Sequence, residues 1–185
     1  MTTNLSGRRI AFLVANEGVE RVELEQPWDA VKAAGGTPVL VAPDTGDVQT
    51  FDHLDKAAVK KVDLSVSDAA ADTFDALVLP GGVANPDQLR MKDEAVGFVR
   101  DLASAGKPIA VICHGPWTLV EAGVVEGRTL TSWPSLQTDI RNAGGSWVDE
   151  EVHVDREGPG VIVSSRKPDD LPAFCDTLVK EVAAA

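Results

Sequence analysis

The residues with the most chemical promise are two neighbours, Cys113 and His114, which end the apolar run Ala110-Val111-Ile112 and are followed at once by Gly115-Pro116. A cysteine between a buried strand and a helix sits on a tight turn that projects its sulfur into a crevice, as the serine does in a nucleophile elbow. Unpaired N–H groups at the start of the following helix would favour a thiolate there. A buried apolar cysteine closing a strand would look similar. The order strand, Cys, His, Gly, Pro, helix favours the nucleophile. Cys175 lacks that order; with Leu171, Leu178 and Val182 it forms a helical stripe and reads as core. Cys113, not Cys175, is therefore expected to carry the low-pKa thiol.

Three acids, Glu17, Glu20 and Glu23, lie near the next candidate position, and spacing alone does not separate them, since any carboxylate suits the first turn of a helix. Pro80-Gly81-Gly82 reads equally as a loop breaker or as a strand end whose backbone N–H groups approach a ligand. In the second case Gly81, Gly82 and the His114 N–H would form an oxyanion hole beside Cys113. As a base, His114 needs an unusual turn, because adjacent side chains normally point apart. A rival arrangement pairs Cys113 with the distant His153 and Asp155, as in glutaminase domains. The alternation Val152-His153-Val154-Asp155 is also what any half-exposed strand shows. The three scattered histidines have no metal-ligand spacing, and no metal or other cofactor is expected.

The elements that must position these residues follow from short apolar runs alternating with longer amphipathic segments, the α/β pattern. Strands are expected at 9–15, 37–42, 75–79 and 109–112, with short ones near Thr129, Val152 and Val161. Helices are expected at 22–34, bending at or tolerating Pro27, and at 94–105. Others run to Ala122, from Leu136 to Ala143, and from Asp169 onward. Residues 46–66 read as a hairpin-type excursion at a sheet edge. One doubly wound, mostly parallel sheet in a single domain spanning 1–185 accounts for the pattern. Such sheets carry their sites at the carboxyl ends of the strands, where Glu17 to Glu20, Pro80-Gly81-Gly82 and Cys113 converge.

Composition narrows the partners. Apolar residues make up 44% and charged residues 25% of 185, enough for a core that needs no disulfide. A formal charge of −12 repels phosphate backbones and anionic lipid, so nucleic acid and membrane are not expected partners. The start, Met1 to Arg9, lacks the apolar stretch of an export signal, and no run approaches a membrane span. A cytoplasmic protein with two free thiols is expected.

The segments Ala15-Asn16-Glu17-Gly18-Val19-Glu20-Arg21-Val22-Glu23, Ala76-Leu77-Val78-Leu79-Pro80-Gly81-Gly82 and Ile112-Cys113-His114-Gly115-Pro116, extended by Asn142-Ala143-Gly144 and Ser165 to Pro172, resemble the ThiJ/PfpI family. This is the intracellular protease and protein deglycase branch of the class I glutamine amidotransferase-like superfamily. The resemblance covers nearly the whole chain and implies a flavodoxin-like sandwich with Cys113 as nucleophile and Glu20 as the acid bonded to its sulfur. It implies a homodimer or larger assembly in which Asp87, one carbon shorter than the family's usual glutamate, meets His114 of another subunit. Trp117 and Trp133 stand where relatives often carry Gln and Tyr, implying a bulkier, more apolar wall. The implied function is a stress enzyme acting on reactive carbonyls, as a glutathione-independent glyoxalase or protein deglycase, or an intracellular cysteine peptidase. The alternative is a redox sensor or holdase signalling through oxidation of Cys113.

Overall fold

A computed structural model describes residues 4–185; the first three residues of the N-terminus read above lie outside it. The strands are β1 (Arg9–Leu13), β2 (Glu17–Glu20), β3 (Thr37–Ala42), β4 (Asp47–Asp52), β5 (Asp55–Lys61), β6 (Leu64–Ser65), β7 (Ala76–Leu79), β8 (Ile109–Ile112), β9 (Thr129–Leu130), β10 (Ser146–Trp147), β11 (Val152–Asp155) and β12 (Ile162–Ser165). The helices are α1 (Arg21–Ala33), α2 (Ala84–Leu89), α3 (Asp93–Ser104), α4 (Pro116–Glu121), α5 (Gln137–Asn142) and α6 (Leu171–Ala184).

Seven strands form the main sheet in the order β11-β12-β8-β7-β1-β3-β6, parallel throughout except for β11. Successive side chains on a strand point to opposite faces, and here both faces are covered. Ala11, Leu13, Leu77, Leu79 and Val111 pack with Val99 and Leu102 of α3 and Leu119 of α4. Ile10, Phe12, Ala76, Val78 and Ile112 pack on the other face with Leu24 and Val31 of α1 and Phe174 and Leu178 of α6. The expected flavodoxin-like, doubly wound sandwich is therefore the observed fold. Cys175 flanks the second core, as its stripe implied.

One sheet does not account for everything. The excursion after β3 is a hairpin, but β4 and β5 pair with β2 in a separate three-stranded sheet, and only β6 joins the main sheet's edge. The reason lies in β2. Glu17 to Glu20, expected as a loop, runs extended and parallel to β4, which draws the hairpin up beside the carboxyl ends of the main strands. Helix α2, directly after the glycine loop, is not among the elements expected from the sequence. Among the described residues no helix is long and apolar enough to cross a membrane.

Candidate active site

The order of the main sheet reverses between β1 and β7, and the crevice outside their carboxyl ends is where an α/β sheet presents a ligand site. Cys113 follows β8 there with φ of +62°, a left-handed conformation that L-residues rarely adopt. Its backbone is held on both sides, N–H to Ser165 O at 3.1 Å and C=O from Trp133 N–H at 2.9 Å. Strain of about 1–3 kcal/mol at such a residue persists only when its surroundings determine it, and these two bonds do so. The turn is thus the unusual one that sequence reasoning required for His114. Its Nδ1 lies 3.1 Å from Cys113 Sγ although the residues are adjacent.

The carboxyl against the thiol is that of Glu23, not Glu20. Glu23 lies in the first turn of α1, fully buried, and its Oε2 accepts the Gly81 N–H at 2.8 Å. Its Oε1 is buried with no hydrogen-bond partner, and the carboxyl neighbours the Cys113 thiol. Glu20 ends β2 and lines the pocket mouth, where its Oε2 accepts the His53 N–H at 3.0 Å. The three-residue spacing explains the correction. With α1 beginning at Arg21, Glu23 turns inward toward the sheet while Glu20 faces the hairpin. That the acid-rich stretch changes from strand to helix at residue 21 carries no signal in the sequence.

Burial also reverses the expected titration. Removal from water is the largest influence on the Cys113 thiol and pushes it well above the ordinary range, and the neighbouring Glu23 carboxyl adds to this. The backbone N–H groups of Gly82 and His114 act the other way. The expected low-pKa thiol is therefore not the resting state of Cys113, and burial pushes Cys175 up as well, to about 12. The Glu23 carboxyl is raised to about 8, chiefly by burial. At neutral pH it carries a proton that it can donate. His114, pushed down to about 4 by burial, is neutral at the same pH.

Gly81 and Gly82 let the loop pass through this crowd. A Cβ on Gly81 would lie 2.5 Å from Glu23 Oε2 and 2.6 Å from Cys113 Cβ. One on Gly82, where φ is +80°, would lie 2.3 Å from Gly18 O. Asn85, buried and unremarked in the sequence, ties the loop to β1: it accepts the Ala15 N–H at 2.7 Å and donates to Pro80 O and Gly81 O. The backbone groups that draw the thiol downward are those of Gly82 and His114, whereas the Gly81 N–H is taken by Glu23.

Trp133, which lines the pocket, stacks on the His114 ring at 5.8 Å, and Trp117 meets that ring edge-on at 5.3 Å without lining the pocket. Asp87 lies in the first turn of α2, exposed and without a contact to His114 of its own chain. The glutaminase-like rival is not assembled. His153, on the edge strand, bonds Glu150 at 2.7 Å, and Asp155 is buried against Arg128 and the Thr129 N–H. Neither residue lines the pocket of Cys113, a cavity of about 260 Å³. Among the described residues no cluster of metal-ligating side chains occurs.

A doubly wound sheet with a strained cysteine at a strand-to-helix bend, a buried carboxyl against its sulfur and a glycine loop beside it defines a class of cysteine-centred α/β proteins. The chain belongs to the DJ-1/PfpI family, whose model matches residues 8–181. It is 44% identical over 172 residues, 93% of this chain and 98% of the relative, to Deglycase PH1704 of Pyrococcus horikoshii. It is 39% identical over 167 residues, 90% and 93% of the two chains, to Protein/nucleic acid deglycase 2 of Escherichia coli. The crystal structure of Drosophila melanogaster DJ-1beta superposes with a TM-score of 0.82 at 27% identity, covering 96% of this chain and 91% of that one.

Proposed function

We propose that the protein is a cysteine-dependent enzyme that removes reactive-carbonyl adducts from amines, a deglycase that also takes the free dicarbonyl. The observation that carries this reading is the placement of Cys113 Sγ beside a protonated Glu23 and 3.1 Å from the Nδ1 of His114. The neutral His114 takes the thiol proton as sulfur attacks the carbon of the adduct that carries the amine. The C–N bond breaks, the amine leaves with that proton, and a hemithioacetal remains on Cys113. The proton on the sulfur-bearing carbon then moves, through the Glu23 carboxyl, to the adjacent carbonyl carbon, while the hydroxyl proton transfers to the adjacent oxygen. The result is a hydroxyacyl thioester. Water cleaves it to the hydroxy acid and restores the thiol, so the net reaction consumes one water and no cofactor. Glu23 suits proton transfer in both directions because its pKa, about 8, lies near neutrality.

Peptide hydrolysis by the same thiol fits less well, because Cys113 is 7% exposed in a cavity of about 260 Å³, room for a small adduct rather than an extended chain. Similarity to proteins named as deglycases supports the reading. We place the enzyme in the cytoplasm as one domain, assembled as a homodimer or larger oligomer in which Asp87 of one copy approaches His114 of another. The test is turnover of methylglyoxal-modified arginine and lysine by wild type and Cys113→Ala. Wild type is expected to release free amine and lactate in equal amounts and the variant neither; undiminished release by Cys113→Ala would refute the reading.

A further inference from the structure

The hairpin joining β4 to β5 turns at His53 and Leu54, and its tip hangs over the pocket of Cys113. His53 has φ of +58°, and besides Cys113 it is the only non-glycine residue in the left-handed region among the described residues. Two consecutive residues at the start of α1 fix this turn. Glu20 accepts the His53 N–H at 3.0 Å, and Arg21 grips both Asp52 carboxylate oxygens at 2.9 and 3.2 Å. A tip held this way presents Leu54, 93% exposed, beside Val83 and Trp133, themselves 58% and 39% exposed. Isolated exposed apolar side chains need no explanation, but three around one small cavity form a patch that a ligand would cover.

The charges at the mouth have one sign left over. No lysine or arginine lines the cavity, whereas the Glu20 carboxylate does. The nearest cations on the far side of Trp133 are already paired, Arg166 with Asp149 and Asp170 and Lys167 with Asp169. A phosphate or carboxylate entering here would find no lysine or arginine to neutralise it and would approach Glu20, whose side-chain neighbour at the mouth is the exposed His53 imidazole, Nδ1 to Oε2 3.9 Å.

We propose that the His53–Leu54 tip, with Glu20 as its positioning residue, is the specificity wall of the site, admitting adducts on neutral or cationic, apolar-flanked groups and rejecting those beside phosphate or carboxylate. Rejection by an unpaired like charge is as effective a source of specificity as attraction. This choice of substrate class rests on the reading of Cys113 as the nucleophile toward carbonyls. It separates side-chain adducts on arginine and lysine from adducts on nucleotides.

Alkylation of Cys113 tests the wall without requiring any turnover, so its outcome is independent of whether carbonyl adducts are the substrates. Iodoacetamide, iodoacetate and N-phenyliodoacetamide are compared at one pH, each rate divided by that of a small free thiol, with labelling mapped to Cys113 or Cys175. Wild type is expected to disfavour iodoacetate by about tenfold, the effect of one like charge at roughly 10 Å in a poorly screened crevice, and to favour the phenyl reagent. Glu20→Gln keeps an acceptor for the His53 N–H but no charge, so it relieves the iodoacetate deficit while the phenyl preference stays. Glu20→Ala loses both. Leu54→Ser, at a fully exposed tip, loses the phenyl preference alone. Free-thiol ratios in wild type, or wild-type ratios in Glu20→Ala, overturn the proposal. Should Glu20→Ala label Cys175 as fast as Cys113, and so be unfolded, Leu54→Ser decides: a phenyl preference that survives it also overturns the proposal.

Discussion

Two acids, a thiol and a carboxyl, share the dry space behind Gly81, and burial raises both above their ordinary values. The consequence for stability follows from linkage. The Glu23 carboxyl titrates at about 8 in the folded chain against about 4.5 unfolded, so it contributes stability fully below pH 4.5, lost as pH rises through 8. His114 acts oppositely. Its folded value of about 4 lies below the unfolded 6.5, so its contribution is present above 6.5 and is lost as pH falls through 4. Between pH 6.5 and 8, below the range of the thiols, Glu23 dominates the slope; His114 adds a smaller slope of opposite sign near pH 6.5 that fades toward pH 8. One proton corresponds to about 1.4 kcal/mol per pH unit, so wild type is expected to lose up to about 2 kcal/mol across that window. Urea denaturation at the two pH values measures it. Glu23→Gln should show no such loss and Glu20→Ala should retain it. The Cys113 bend was legible because a glycine and a proline directly follow a cysteine at the end of an apolar run. The identity of its acid was not, because Glu20 and Glu23 are chemically alike and only the start of α1 distinguishes them.

The elements that deliver these groups meet at distances that leave room for no extra atom. The β7 loop runs between α1 and the β8 bend, and Gly81 is where all three touch. Gly81→Ala would push a methyl group into Glu23 and Cys113 at once, an overpacking that costs roughly 1–3 kcal/mol and displaces the carboxyl from the sulfur. The expected outcome is a folded protein with a modestly lower melting temperature and at least a tenfold slower Cys113-dependent turnover. Calorimetry and kinetics on one sample check both, and full activity would show that the carboxyl contact is dispensable. Strands β3 and β8 coincide with the apolar runs 37–42 and 109–112, because both faces of a central parallel strand are buried and leave a continuous signal. The β2-β4-β5 sheet was hidden for the opposite reason. Strand β5, Asp55-Lys56-Ala57-Ala58-Val59-Lys60-Lys61, is largely exposed and has little apolar periodicity to read.

At the scale of the whole molecule, the single chain leaves its proposed site with one acid unused. Asp87 is exposed on α2, and His114 Nε2 has no hydrogen bond among the described residues. Assembly of copies is the arrangement that would bring them together, and a two-fold pairing would do so twice. Light scattering is expected to give a dimer or larger species, with Asp87→Asn lowering kcat and leaving the assembly intact; a fully active monomer would remove Asp87 from the site. The net charge of −12 makes self-association salt-dependent, so the measurement belongs at physiological ionic strength. The central claim is that the carbon skeleton of the carbonyl passes through a covalent bond to Cys113. Rapid-quench mass mapping of the protein during turnover of a methylglyoxal adduct tests it most directly. A lactoyl group on the peptide carrying Cys113, appearing and decaying at rates that support steady-state turnover, is the predicted result. Turnover with no acyl group on Cys113, or with the group on Cys175 or a lysine instead, would contradict it.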